Sequence, residues 1–156
     1  CNMSSVRIPK VTAKCYCNSV VLEISGIDPG FTACHCGTCQ FIHSGPGFGA
    51  KCNDVKIVQG AELVKKYKPA VWATWHFCGK CGTRLHYKFE DDVWKSKQDR
   101  YVVSVGLLYK AGIKNLKMLN EVSYEVKPRY YDFEGHREKL STSEAYALFA
   151  LESQKP

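Results

Sequence analysis

Nine cysteines punctuate this 156-residue chain, and seven of them fall into three tight groups. These are Cys15-Tyr16-Cys17, Cys34-His35-Cys36-Gly37-Thr38-Cys39 and Cys78-Gly79-Lys80-Cys81, while Cys1 and Cys52 stand apart. A disulfide scaffold predicts an even count and bridges between distant segments. Clustered pairs are what a tetrahedral metal site needs, because a C-x-x-C turn brings two sulfurs to one ion at about 2.3 Å. Gly37, Gly79 and Gly82 supply the backbone freedom that such a knuckle requires. All-sulfur ligation leaves zinc or an iron–sulfur cluster. The spacing matches no common ferredoxin run, which favours zinc. Reduced, metal-binding thiols also point to a cytoplasmic protein.

The count of seven is itself informative. A closed four-coordinate site uses four cysteines and leaves three. Three protein ligands with one open position is the pattern of a catalytic or substrate-binding zinc. The alternative is a second closed site completed by His35, His43 or Cys52. Counting leaves both open.

A chain of this length fits one domain, here taken as residues 1–156 with a core of about 14–133, and can build a core without metal. Its 45% hydrophobic and 24% charged content are those of an ordinary globular protein. No run reaches the eighteen apolar residues of a membrane span, and no charged start precedes an apolar secretory segment. The formal charge of +7 suits anionic partners, yet the basic residues are scattered and the densest run is Lys65-Lys66-Tyr67-Lys68. A nucleic-acid binder concentrates its basic residues on one stripe with aromatics between them, so nucleic acid is not the expected partner. Oligomeric state is not written in the sequence.

Strand-like segments dominate. Lys14 to Ser25 is rich in β-branched residues and reads as a strand that puts Cys15 and Cys17 on one face. Residues 53–59, 71–77, 83–89 and 101–108 read likewise. Pro29-Gly30 and Gly45-Pro46-Gly47 are loops, and Glu90 to Arg100 is expected to be a long exposed connection. Ser141-Thr142-Ser143-Glu144 is a capping box that opens a short C-terminal helix, with Ala145, Leu148 and Phe149 on its packed face. The fold class is mainly β, largely antiparallel and tied together by metal.

The order C-x-C, C-H-C-x-x-C, F-C-x-x-C-G-T resembles the glutathione-dependent formaldehyde-activating enzyme family, whose domain is shared with centromere protein V. It is carried by Lys14 to Cys17, Cys34 to Gln40 and Phe77 to Thr83, with support from Gly45 and Val103-Ser104-Val105-Gly106-Leu107. The likeness runs from about Lys14 to Phe133. It implies a β-tent of small antiparallel sheets with two zinc ions per chain. Cys15, Cys17, Cys78 and Cys81 would share a structural zinc, and Cys34, Cys36 and Cys39 would hold a functional one. The chain departs from the family pattern at Gly106-Leu107-Leu108-Tyr109, where Gly-x-Leu-Asp is common, and at Tyr124, where a histidine often stands. The basic extension of the centromere protein is missing, which argues against a chromatin role.

The resemblance implies a zinc-dependent carbon–sulfur lyase that forms or cleaves the C–S bond of a glutathione adduct. The adduct is S-hydroxymethylglutathione or a conjugate of a larger metabolite. Glutathione then serves as substrate or co-substrate, its thiol captured as thiolate at the open position. Near the triplet, His35 is a candidate proton shuttle, and Gln40, His43 and Ser44 are further polar candidates. Lys51 and Arg84 are candidates for glutathione's carboxylates, since arginine suits bidentate carboxylate recognition. Cys52 reads as a small apolar residue, and Trp72, Trp75 and Trp94 as core or pocket wall. The competing function is a non-catalytic zinc module that binds a protein or nucleic acid.

Overall fold

A computed structural model describes residues 6–96 and 98–155. The described residues are mainly β, with two sheets, three short helices and two single 3-10 turns. The smaller sheet contains β1 (Ile8–Lys14), β2 (Val21–Ile27) and β5 (Asp54–Gln59), all antiparallel in the order β1-β2-β5. In β1, Val11 and Ala13 are buried while their neighbours face outward, the period of two expected of a strand with one packed face.

The larger sheet has eight strands. They are β3 (Gly30–Cys34), β4 (Gly47–Cys52), β6 (Val64–Ala70), β7 (Ala73–Cys78), β8 (Arg84–Phe89), β9 (Tyr101–Ser104), β10 (Lys117–Val122) and β11 (Glu138–Leu140). Their order is β11-β10-β3-β4-β9-β8-β7-β6. Most neighbours are antiparallel, but β10 runs parallel to both β3 and β11. The edge strand β6 carries Lys65, Lys66, Lys68 and Pro69. Charge and proline on an open edge discourage the pairing of a foreign strand. The densest basic run of the sequence therefore lies on a sheet edge.

The three helices are α1 (Gly37–His43), α2 (Val105–Lys110) and α3 (Thr142–Ser153). The main core joins β1 and β2 to the central strands of the larger sheet and to α2. Leu22, Ile24, Ile27, Leu85, Val103 and Leu108 in it are wholly buried. Each such side chain contributes roughly 1.5–3 kcal/mol by leaving water. A second cluster of Ala73, Phe89, Trp94 and Val102 binds α3 through Phe149.

Three sequence expectations change. The stretch from Lys14 to Ser25 is not one strand: a turn at 15–20 breaks it, with Asn18 at φ 61°. The run 101–108 is a strand only to Ser104 and then turns helical, burying Leu107 and Leu108. A short apolar run carries no period that separates the two forms. Residues 90–100 are not simply exposed, because Trp94 is 2% exposed and stacks on Phe89 at 4.5 Å. The capping box on α3 is present as read, with the Ser141 side chain accepting from Glu144 N and the Glu144 side chain accepting from Ser141 N. On its packed face Leu148 stays largely exposed.

Candidate metal centres and adjoining cavity

The four outer cysteines come from two hairpins in different sheets. Cys15 and Cys17 lie in the turn between β1 and β2, and Cys78 and Cys81 flank the turn between β7 and β8. Their sulfurs all lie within 4.8 Å of one another. Cys15 Sγ is 3.5 Å from Cys17 Sγ, and Cys17 Sγ is 3.9 Å from Cys78 Sγ. Sulfurs bonded to one tetrahedral ion at about 2.3 Å stand about 3.8 Å apart, so the spacing fits a shared ion and is far beyond a disulfide.

Backbone bonding shapes both knuckles before any ion arrives. Cys15 N donates to Val20 O at 3.0 Å, and Gly82 N donates to Cys78 O at 2.8 Å. Gly82 has φ +73°, a conformation that L side chains rarely adopt. Thr83 links the hairpins by accepting from Tyr16 N at 3.0 Å. Lys110, at the end of α2, donates to Cys15 O, Tyr16 O and Asn18 Oδ1. That cation offsets part of the negative charge of a thiolate cluster. Burial pushes the Cys15 thiol up to about 11, a cost that a bound cation removes.

The triplet is built differently. Cys34 ends β3, Cys36 caps α1 and Cys39 sits in its first turn, so the ligands come from one continuous segment. Their sulfurs also lie within 4.8 Å of one another, and all three residues are half-buried. Gly47 begins β4 beside them, and a Cβ there would meet Cys39 Sγ at 2.8 Å, so only glycine leaves the sulfur its place. Three thiols this close cannot all ionise against one another. Hydrogen bonds from Cys34 and Cys39 pull Cys36 down to about 2, the bond to Cys36 pushes Cys34 up to about 11, and Cys39 is raised by both neighbours. A divalent cation lifts that conflict, and the donor set fits a soft one.

His35 points away from the triplet. It is wholly buried, with Nε2 2.9 Å from Glu121 Oε2 and Nδ1 2.7 Å from the Tyr131 hydroxyl. Glu121 also accepts from Arg137 Nη1 at 2.9 Å, and Gln40 Nε2 donates to the Tyr131 hydroxyl at 2.8 Å. Both ring nitrogens are thus occupied behind the metal-binding segment. The set aligns β3 with β10, whose Val122 is opposite Cys34. Glu121, Tyr131 and Arg137 carried no signal in the sequence that tied them to His35.

In front of the triplet lies a cavity of about 400 Å³. Its walls include Cys34, Cys36, Cys39, His43 and Arg84 at one side and Trp72, Phe89, Trp94 and Phe149 at another. This size falls within the range of small-molecule sites, roughly 300–1,000 Å³. Arg84 lies over the Trp75 ring, with Cζ 3.9 Å from the centroid, and its guanidinium contacts His43 Nε2. Burial first, and then the Arg84 charge, hold His43 down to about 4, which keeps it neutral. Arg84 pairs with no carboxylate among the described residues. Lys51 also lines the cavity, but it pairs with Glu152 and stands four residues, about 13 Å, along β4 from Gly47. The structure thus brings Arg84 and His43 to the triplet and leaves Lys51 at the other end. Tyr87, which sequence reasoning missed, lines the cavity too; burial and the Cys34 and Cys39 thiols keep its phenol protonated. Cys52 is buried in the main core, as its apolar reading predicts.

The sequence model of the glutathione-dependent formaldehyde-activating enzyme family matches residues 10–125, a span that contains both cysteine sets. No curated protein matches the chain. A crystal structure of a Rhodobacter sphaeroides protein is similar, at 23% identity and a TM-score of 0.48, covering 62% of this chain and 85% of that one.

Proposed function

Because this chain belongs to the glutathione-dependent formaldehyde-activating enzyme family, we propose that it is a zinc-dependent carbon–sulfur lyase acting on adducts of glutathione. The observation that carries this reading is the three-cysteine set opening on a cavity, beside a separate four-cysteine set. Zinc held by Cys34, Cys36 and Cys39 would leave one position for a thiol and keep that thiol ionised at neutral pH. Cys15, Cys17, Cys78 and Cys81 would hold a second, structural zinc.

The chain's own groups have definable roles in this reading. The substrate sulfur adds to the carbonyl carbon of an aldehyde; the C–S bond forms and the thiol proton ends on the new hydroxyl oxygen. The reverse direction breaks the same bond. Arg84, charged and without a carboxylate partner among the described residues, supports binding of a carboxylate of the tripeptide and offsets thiolate charge. Lys51, matched by Glu152, supports that role less. The protonated Tyr87 is a donor for the developing oxygen, and neutral His43 keeps Arg84 in place. His35 acts from behind by fixing the segment, and not as a shuttle in the cavity. A cavity of small-molecule size beside the triplet favours a small molecule over a protein or nucleic-acid partner. The reading takes residues 1–156 as one domain working in the cytoplasm.

Formation of S-hydroxymethylglutathione from glutathione and formaldehyde, followed by NMR exchange, tests the reading. The native protein accelerates exchange over the uncatalysed background. Cys36→Ser falls by at least 100-fold with its fold kept, whereas Cys78→Ser unfolds, since structural zinc carries on the order of 10 kcal/mol in finger peptides. Equal rates for the native and Cys36→Ser proteins would end the proposal.

A further inference from the structure

The cavity has far more aromatic wall than a one-carbon electrophile can use. Phe89 and Trp94 stack at 4.5 Å, only 13° from parallel. The Phe149 ring lies 5.1 Å from Phe89, 5.4 Å from Trp94 and 5.9 Å from Trp72. Tyr87 joins this group to the triplet side, 5.4 Å from Phe89. At the aromatic end the one lining cation among the described residues, Lys51, is matched by Glu152. Glutathione offers charged termini and amides, with no large apolar group to fill such a wall. Phe149 and Glu152 belong to α3, beyond residues 10–125 that the family shares. Phe149 thus adds to the wall from outside the matched span, packing on Trp72, Phe89 and Trp94 inside it.

Resting on the thiol site proposed above, we infer that this compartment holds a planar apolar group borne by the carbon that bonds to the substrate sulfur. The substrate is then the thiol adduct of an aryl or similarly large apolar aldehyde. The adduct forms when sulfur adds to the carbonyl carbon, the C=O π bond opens and the thiol proton passes to oxygen. Its cleavage returns aldehyde and thiol, with no oxidant or reductant involved. Burial of an aryl ring against Trp72 and Phe149 removes apolar surface from water and allows offset or edge-to-face contacts. Binding at this end separates the electrophile's body from the tripeptide, whose carboxylate faces Arg84.

Calorimetry on the zinc-loaded protein, with tryptophan fluorescence as a second readout, tests this with three ligands that share the tripeptide. They are glutathione, S-methylglutathione and S-(1-naphthylmethyl)glutathione. The naphthylmethyl compound should bind at least tenfold more tightly than the S-methyl one and quench tryptophan emission. That ratio should fall below threefold in Phe149→Ala and in Trp72→Ala. Both residues are only half-buried, and either variant alone suffices if the other does not fold. Equal affinities for the two thioethers, with glutathione still bound, would overturn the inference and leave the thiol reading standing. An unchanged ratio in the folded variants would overturn it as well. Binding of none of the three would remove both.

Discussion

Two histidines near the β6 edge of the larger sheet show what single residues cost when buried. His76 and His86 face each other across β7 and β8, stacked with ring centroids 4.3 Å apart, and the Nδ1 atom of each lacks a hydrogen-bond partner among the described residues. Burial, then His76 and Lys66, hold His86 down to about 3, with Tyr101 packed against its edge. An unfolded histidine titrates near 6.5, so between 6.5 and about 3 the unfolded chain takes up a proton that the folded chain refuses. Stability therefore falls as pH drops below 6.5, by up to about 1.4 kcal/mol per unit from this residue. Urea unfolding of zinc-saturated protein at pH 7.5 and 5.5 should show a smaller loss in His86→Gln than in the native chain. The same loss in both would remove His86 as the cause. Of the residue-level picture, the clustering of the cysteines was legible in their spacing, while the meeting of Cys15 and Cys17 with Cys78 and Cys81 was implied only by the family resemblance. The surroundings of His35 were not, since Glu121 and Tyr131 lie 86 and 96 residues away in the chain. No local pattern encodes such a contact.

Among the elements, α3 has the most to explain. It has little apolar stripe of its own, and Leu148 and Leu151 remain exposed. Its ends do the holding: the Ser141–Glu144 capping box at the start, and Phe149 with the Lys51–Glu152 pair nearer the finish. Loss of an N-cap typically costs about 1 kcal/mol. Ser141→Ala should lower stability by that amount, and hydrogen exchange should rise first along α3. A uniform rise over the sheets instead would mean that α3 is not a separately held element. The box was readable because capping is local chemistry. The strand-then-helix course of β9 and α2 was not, because the apolar run at 101–108 satisfies either form and only packing of Leu107 and Leu108 decides. The turn at 15–20 was hidden in the same way within β-branched neighbours, although Asn18-Ser19 is itself turn chemistry.

On the scale of the whole molecule, the two cysteine sets draw on different parts of the chain. The outer four bring a hairpin of the three-stranded sheet to a hairpin of the eight-stranded one, so an ion held there would clamp the two sheets together. The triplet belongs to a single β3–α1 segment and clamps nothing distant. It faces a cavity that α3 helps to close. The mainly β architecture and the division of seven thiols into four and three were legible in the sequence. The cavity was not, as its wall gathers residues from β4, β7, β8 and α3. The measurement that bears most directly on the central claim is the visible spectrum of the protein loaded with cobalt in place of zinc. Two tetrahedral cobalt ions should bind per chain, and glutathione should change the spectrum of one of them, saturating at one equivalent. In Cys36→Ser that response should vanish while the other ion's spectrum stays. Two cobalt spectra that both ignore millimolar glutathione would contradict an open thiol site.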